Sequence, residues 1–208
     1  MDKKTLSETD ICDKHITPAL QRAGWSVGEQ IFREYPLRLG RVVVRGQKSA
    51  REKSTILFAD YALFYNSNIP IAVVEAKDAA HAVGAGMPQA IRYADLLDVP
   101  FAFSSNGDGF VFRDQTLGAG VLERNLALGE FPSPAELWER FCAWQGWTAE
   151  VRRIAEQPYE PSKAPRYYQI NAINRTVEAI AAGQNRVLLV MATGTGKTYT
   201  AFQIIWRL

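Results

Sequence analysis

Cysteine and histidine are the scarcest chemistry in this 208-residue chain, which holds two of each. Cys12 and Cys142 lie far apart, so no zinc site is expected, and both are read as buried free thiols in a reducing compartment. No apolar run approaches the length that crosses a bilayer, and the opening MDKKTLSETD lacks the apolar stretch of a secretory leader. A cytoplasmic protein without a membrane partner is therefore expected. Excess charge of one sign is missing too. The 24 Lys and Arg nearly balance the 22 Asp and Glu, for a net +2. That balance neither demands nor excludes nucleic acid, since a local basic strip can bind DNA inside a neutral total. What is present is ordinary for a globular protein: 47% hydrophobic and 22% charged residues, enough for a real core.

Along the chain, Ser7-Glu8-Thr9-Asp10 has the pattern of a helix start, with Ser7 as N-cap and Asp10 closing a capping box. The helix is expected to run toward Trp25, bending or restarting at Thr17-Pro18 and ending near Gly24. Strand-like runs follow at 30–35, 41–45, 56–65 and 69–76, with the basic stretch 45–53 read as a loop. Residues 79–97 have helical character, weakened in the first turns by Gly84 and Gly86. Two short strands, 99–104 and 109–113, flank the turn Ser105-Asn106-Gly107-Asp108. Strands with interspersed helices make this block mixed α/β. Pro132-Ser133-Pro134 opens a Trp-rich helix to about Trp147, and a charged helix reaches Glu156. The proline-rich PYEPSKAP then reads as an extended linker. Beyond it the pattern is helix (168–182), strand (186–191), glycine loop and a helix from Lys197, the opening of a parallel-sheet nucleotide domain. The expected division is 1–157, a linker at 158–165, and 166–208.

The apolar run Val187-Leu188-Leu189-Val190 feeds Ala192-Thr193-Gly194-Thr195-Gly196-Lys197-Thr198. Such glycines let backbone N–H groups turn onto a phosphate, with the dipole of the following helix behind them. Lys197 would reach the β- and γ-phosphates of ATP, and Thr198 would hold Mg²⁺. Met191 stands where the strict phosphate-loop pattern has Gly or Ala, but ATGTGKT closely resembles motif I of superfamily 2 helicases. Upstream, Arg166-Tyr167-Tyr168-Gln169 resembles the Q motif of that superfamily, in which a glutamine amide reads adenine. The amide chemistry suits that task. Read by itself, Gln169 is a polar residue in the first turn of a helix.

In ADYALFYNSNIPIAVVEAKD, residues 59–78, two strands meet at a turn rich in Asn and Ser. Centring that turn between Ser67 and Asn68 places Asp60 opposite Glu75, and Lys77 shares their face. Two carboxylates, with the Ala76 carbonyl, can hold Mg²⁺ through oxygen ligands. Lys77 can orient an attacking water or offset charge on a phosphodiester. A salt-bridged sheet face, Glu75 with Lys77, is the plainer alternative. Gln89 and Tyr93, four apart, share one helix face where they could contact a DNA strand. Read by itself, Glu8 is a first-turn carboxylate favoured by the helix dipole.

Asp60…Glu75-Ala76-Lys77 resembles the PD-(D/E)xK nuclease core, with Ala59 in place of the usual proline, and Gln89–Tyr93 fits a Q-x-x-x-Y element found in a subset of such nucleases. That block, a proline-rich linker, a Q motif and motif I, in this order, is similar to the N-terminal region of the restriction (R) subunit of type I restriction-modification enzymes. SETDICDKHITPALQRAGW, QAIRYAD and SSNGDGFVFRD extend the likeness over nearly the whole chain. The resemblance implies an α/β fold, a PD-(D/E)xK nuclease-like mixed sheet flanked by helices and followed by the truncated start of a RecA-like parallel α/β motor. It implies Asp60, Glu75 and Lys77 in Mg²⁺-dependent cleavage of double-stranded DNA, with Gln89 and Tyr93 beside them and Glu8 a possible metal ligand. Gln169, Thr193, Gly194, Thr195, Gly196, Lys197 and Thr198 would bind ATP, and the partners would be methyltransferase (M) and specificity (S) subunits. The chain is then expected to be an N-terminal piece. Without a Walker B carboxylate or arginine finger, it is expected to show no sustained ATP turnover alone, and weak DNA cleavage. Two other readings stay open: a helicase–nuclease of another repair or defence system, and an inactive nuclease fold used as a DNA-binding or docking platform. Arg41, Arg45, Lys48, Arg51 and Lys53 form the nearest basic cluster to the proposed site, or simply a solvated loop.

Overall fold

The capping box at the first helix forms as its sequence predicts. Ser7 accepts the Asp10 amide and Asp10 accepts the Ser7 amide. Helix α1 (Glu8–Ile11) then widens into a π-turn (Cys12–Ile16) and continues as α2 (Thr17–Arg22). Pro18 has no N–H, and its ring would crowd the carbonyl four residues back, so a wider turn lets the helix bend without breaking. Gly24 ends it at φ +95°, a backbone region that favours glycine.

The structure, a computed structural model, describes residues 6–38, 42–45, 48–51, 56–120 and 123–208, with the backbone alone described at 42–45 and 48–51. A six-stranded mixed sheet has the order β1 (Ile31–Arg38), β4 (Ile56–Asn66), β5 (Ile69–Ala76), β6 (Phe101–Ser105), β7 (Gly109–Asp114), β8 (Arg124–Ala127). Strands β5 and β6 are parallel, joined by helix α3 (Met87–Leu97), and the other pairs are antiparallel. Every residue of β5 is buried, as expected of a strand covered on both faces. Odd-numbered positions of β4 such as Tyr61 and Leu63 face one core, with α1, α2 and helix α4 (Pro134–Gln145). Even-numbered Ala62 and Phe64 face a second core with α3 and helix α6 (Tyr167–Ala181). Each fully buried Leu, Ile or Phe in these layers contributes roughly 1.5–3 kcal/mol. No described helix is long and apolar enough to cross a membrane.

Four sequence expectations need correction. The basic stretch 45–53 is not simply a loop, because β2 (Val42–Arg45) pairs with β3 (Lys48–Arg51) as a separate antiparallel ribbon. Arg41 and Lys53 lie outside the described residues. Helix α3 begins at Met87 rather than near Ala79, with turns across the preceding residues. Gly84 and Gly86 disfavour helix, while Pro88 fits only a first turn. Residues 186–191 form no strand. Leu188 and Val190 are 88% and 84% exposed, and a strand needs a ladder partner that no other described segment supplies. Finally, β8 and the short 3₁₀ turns around it were not expected. Helix α5 (Ala149–Ala155) forms where the charged helix was read.

Residues 158–165 carry no helix or strand, yet Tyr159 is buried and its hydroxyl lies within hydrogen-bond reach of Asn68 O and Asn174 Oδ1. Asn174 Nδ2 also donates to Asn68 O. Arg207, the buried last residue of helix α7 (Lys197–Arg207), donates to Asn174 Oδ1 and to Ala155 O and lies over the Tyr159 ring. One polar node thus joins the β4–β5 turn, α6 and α7.

Candidate active site

Strands β4 and β5 bring the two carboxylates together. Tyr61 pairs with Val74, so Asp60 and Glu75 come next in register, in the placement that the turn at Ser67-Asn68 implies. The Ala76 N–H donates to Asp60 Oδ2 at 2.7 Å. Glu75 is 2% exposed, a charged residue in an otherwise apolar strand. Its Oε1 accepts from Lys77 Nζ at 3.2 Å, and its Oε2 is buried with no hydrogen-bond partner. Lys77 Nζ also donates to Ala76 O at 2.8 Å and to Glu8 Oε1 at 3.2 Å. Glu8, on α1, therefore reaches the site through the ammonium.

The electrostatics follow from crowding. Burial first, and the Asp60 carboxylate second, push Glu75 up to about 8 against the pull of Lys77. Burial likewise raises Asp60, partly offset by the Ala76 amide. Burial opposes charge on Lys77, but Glu75 and Glu8 outweigh it and hold its pKa above the usual value. Two carboxylates share too little positive charge, which is a common condition of functional sites. The donors are hard oxygens, and the orphaned Glu75 Oε2 lacks a cation or proton donor, so the set fits a hard divalent ion. Among the described residues no group of three His, Cys, Asp or Glu already stands in metal-holding geometry.

Gly86 was legible in the sequence only as a helix weakener, and Ser104 not at all, yet both shape the site. The Gly86 N–H donates to Ser104 Oγ at 3.0 Å, and Ser104 Oγ donates to Val83 O at 2.6 Å. A Cβ on Gly86 would stand 2.9 Å from Ser104 Oγ and 3.0 Å from Glu75 Cγ. Gly86→Ala is therefore expected to force Glu75 or Ser104 to shift and to destabilise the fold by about 1–3 kcal/mol, the scale of overpacking. Urea unfolding measures this, and an unchanged midpoint would show that Glu75 tolerates the shift.

Gln89 and Tyr93 share a face of α3 and bond to each other, Nε2 to OH at 3.0 Å. No described hydrogen bond joins them to the carboxylates.

The glycine loop lies elsewhere. Gly194 and Gly196 take φ +79° and +87°, and Thr195 donates from N and Oγ1 to Ala192 O. Thr193 in the loop, and Lys197 and Thr198 in the first turn of α7, are exposed. Gln169 Oε1 accepts the Arg166 amide at 2.9 Å, and its Nε2 donates to Thr195 O at 3.0 Å. The amide thus braces the loop, and in this geometry both ends are engaged by the protein. Beside it opens a cavity of about 250 Å³ lined by Tyr35, Pro36, Pro165, Arg166, Tyr167 and Tyr168.

A family model described as the type I restriction enzyme R protein N terminus matches residues 43–120. Another, type III restriction enzyme, res subunit, matches residues 162–208. The endonuclease subunit of the type I restriction enzyme EcoAI of Escherichia coli is 54% identical over 212 positions, covering 100% of this chain and 26% of that protein. The corresponding EcoKI subunit of Escherichia coli strain K12 is 27% identical, covering 99% of this chain and 22% of its own length. A fragment assigned as an HsdR subunit of a type I restriction enzyme from Vibrio vulnificus superposes with a TM-score of 0.81 at 43% identity, over 98% of this chain and 38% of that one. The chain therefore spans about a quarter of the length of these curated relatives.

Proposed function

Since the chain belongs with the N-terminal regions of type I restriction enzyme R subunits, we propose that residues 1–157 are a Mg²⁺-dependent double-stranded DNA endonuclease, that 158–165 join it to a motor, and that 166–208 open the RecA-like, ATP-driven translocase. The observation that carries this reading is the convergence of Asp60, Glu75 and Lys77 at the C-terminal end of β5, with Glu75 buried and one of its oxygens unsatisfied.

In this reading Asp60, Glu75 and the Ala76 carbonyl hold the divalent ion. When bound, Mg²⁺ supplies charge stabilisation at the phosphodiester and a more acidic attacking water. The sheet fixes both carboxylates by register, so little reorganisation is left to the moment of reaction. Lys77 positions the water or counters the charge that builds on phosphorus. Tyr93 is buried and holds the half-buried Gln89, so Gln89 is the member of the pair that can face the DNA strand. In the motor, Gly194–Thr198 cradle the phosphates. The tyrosine-lined cavity beside Gln169 offers rings on which adenine can stack. DNA recognition falls to partner M and S subunits, as in the type I enzymes the chain resembles.

The competing reading is a catalytically silent nuclease fold, favoured by the occupation of the oxygen set by Lys77. One experiment separates them. Full-length wild type and Lys77→Ala, each assembled with M and S subunits, are compared for ATP hydrolysis and plasmid cleavage in one reaction. Persistent hydrolysis with lost cleavage is expected. If both activities persist, the carboxylate–lysine face is structural.

A further inference from the structure

An ammonium has three N–H bonds, and Lys77 spends its own on Glu75 Oε1, Ala76 O and Glu8 Oε1. Two of those three acceptors are the atoms that the nuclease reading assigns to the divalent ion. An ammonium and a divalent ion on neighbouring lone pairs of these acceptors repel each other, so each disfavours the other there. One ammonium also cannot serve both Glu75 oxygens, and Oε2 is the one left over. Glu8 differs from the other acceptors. It comes from α1 rather than the sheet, its side chain is 48% exposed, and its described hydrogen bond into the site runs to Lys77.

We propose that Lys77 is the resident cation of the metal-free site, that Glu8 is its tether, and that metal loading is an exchange in which the ammonium releases Glu75 and Ala76 and swings outward on Glu8. The inference rests on the nuclease reading and deepens it. Lys77 reaches a position beside the scissile phosphate only when its former acceptors have been taken over, so occupancy of the site and placement of the lysine are one event. Glu8 acts through Lys77 as a positioning residue.

The test is direct Mn²⁺ binding to the full-length subunit without nucleotide or DNA, read by water-proton relaxation. Lys77→Met, which keeps the length of the side chain without its charge, is expected to bind Mn²⁺ about tenfold more tightly than wild type, the scale of one close charge interaction. Lys77→Ala is expected to do the same and guards against misfolding of either variant. Glu8→Gln is expected to alter Mn²⁺ affinity in the wild-type background and leave it unchanged beside Lys77→Met, the signature of action through the lysine. Glu75→Gln is expected to abolish binding. Equal or weaker binding by both Lys77 variants overturns the exchange, and an equal loss on Glu8→Gln in both backgrounds makes Glu8 a ligand instead of a tether. If Glu75→Gln binds as wild type does, the nuclease reading itself fails.

Discussion

Glu75→Gln is expected to end DNA cleavage and at the same time to stabilise the protein. Cleavage should fall about a thousandfold, because an amide is a poor ligand for a hard divalent ion and removes charge from the reacting centre. Stability should move the other way. Burial, then Asp60, raise the Glu75 carboxyl from 4.5 to about 8 in the folded chain. Between those pH values the unfolded chain has released a proton that the folded chain retains, so stability falls as pH rises, by at most about 1.4 kcal/mol per pH unit for this group. The amide cannot ionise, and that decline should disappear. At pH 8.5 the variant is expected to exceed wild type by about 1–2 kcal/mol, the usual gain from relieving a strained functional group. Urea unfolding at pH 5.5 and 8.5 measures the difference. A variant less stable than wild type at the higher pH would mean that the Lys77 contact outweighs the cost of burial.

Lys197→Ala is expected to have the opposite selectivity. Lys197 is exposed at the first turn of α7, just after the two left-handed glycines, where a cation meets the β- and γ-phosphates. Its loss should lower ATP hydrolysis by the full-length subunit about a thousandfold and, if the proposed motor drives cleavage, should abolish cleavage as well. Mn²⁺ binding at the carboxylate site should be unchanged. Together the two substitutions separate the sites: Glu75→Gln should leave ATP hydrolysis intact, and Lys197→Ala should leave the metal site intact. Hydrolysis surviving Lys197→Ala would remove the glycine loop from the nucleotide reading.

The features legible in the sequence were those fixed over short distances. The capping box spans only Ser7 to Asp10, and centring the hairpin turn at Ser67-Asn68 gives the register that holds from Tyr61 to Leu63, next to Asp60 and Glu75, although the ladder is irregular around Phe64. Features that depend on neighbours far along the chain were not legible. The seat of Gly86 against Glu75 exists only because Ser104 lies on the adjacent parallel strand. The basic, polar composition of 45–53 reads as loop, whereas the pairing that makes Lys48–Arg51 a strand depends on its partner Val42–Arg45. The run at 186–191 has the composition of a buried strand but no described ladder partner, and composition cannot provide one. Gln169 was placed near the loop by motif, but its bonds to Arg166 and Thr195 follow from helix geometry that a motif does not encode.

The polar node beneath the hairpin has an evolutionary consequence. Asn68 O is the shared acceptor for Asn174 and Tyr159, and Arg207 leans on both Asn174 and the Tyr159 ring. A change at any one strands the polar atoms of the others in a water-free interior, where each unmet group costs about 1–3 kcal/mol. These positions, drawn from a turn, an irregular segment and two helices, can therefore drift only as a set. Among related chains they should covary, although they are widely separated in sequence and lie away from both candidate sites.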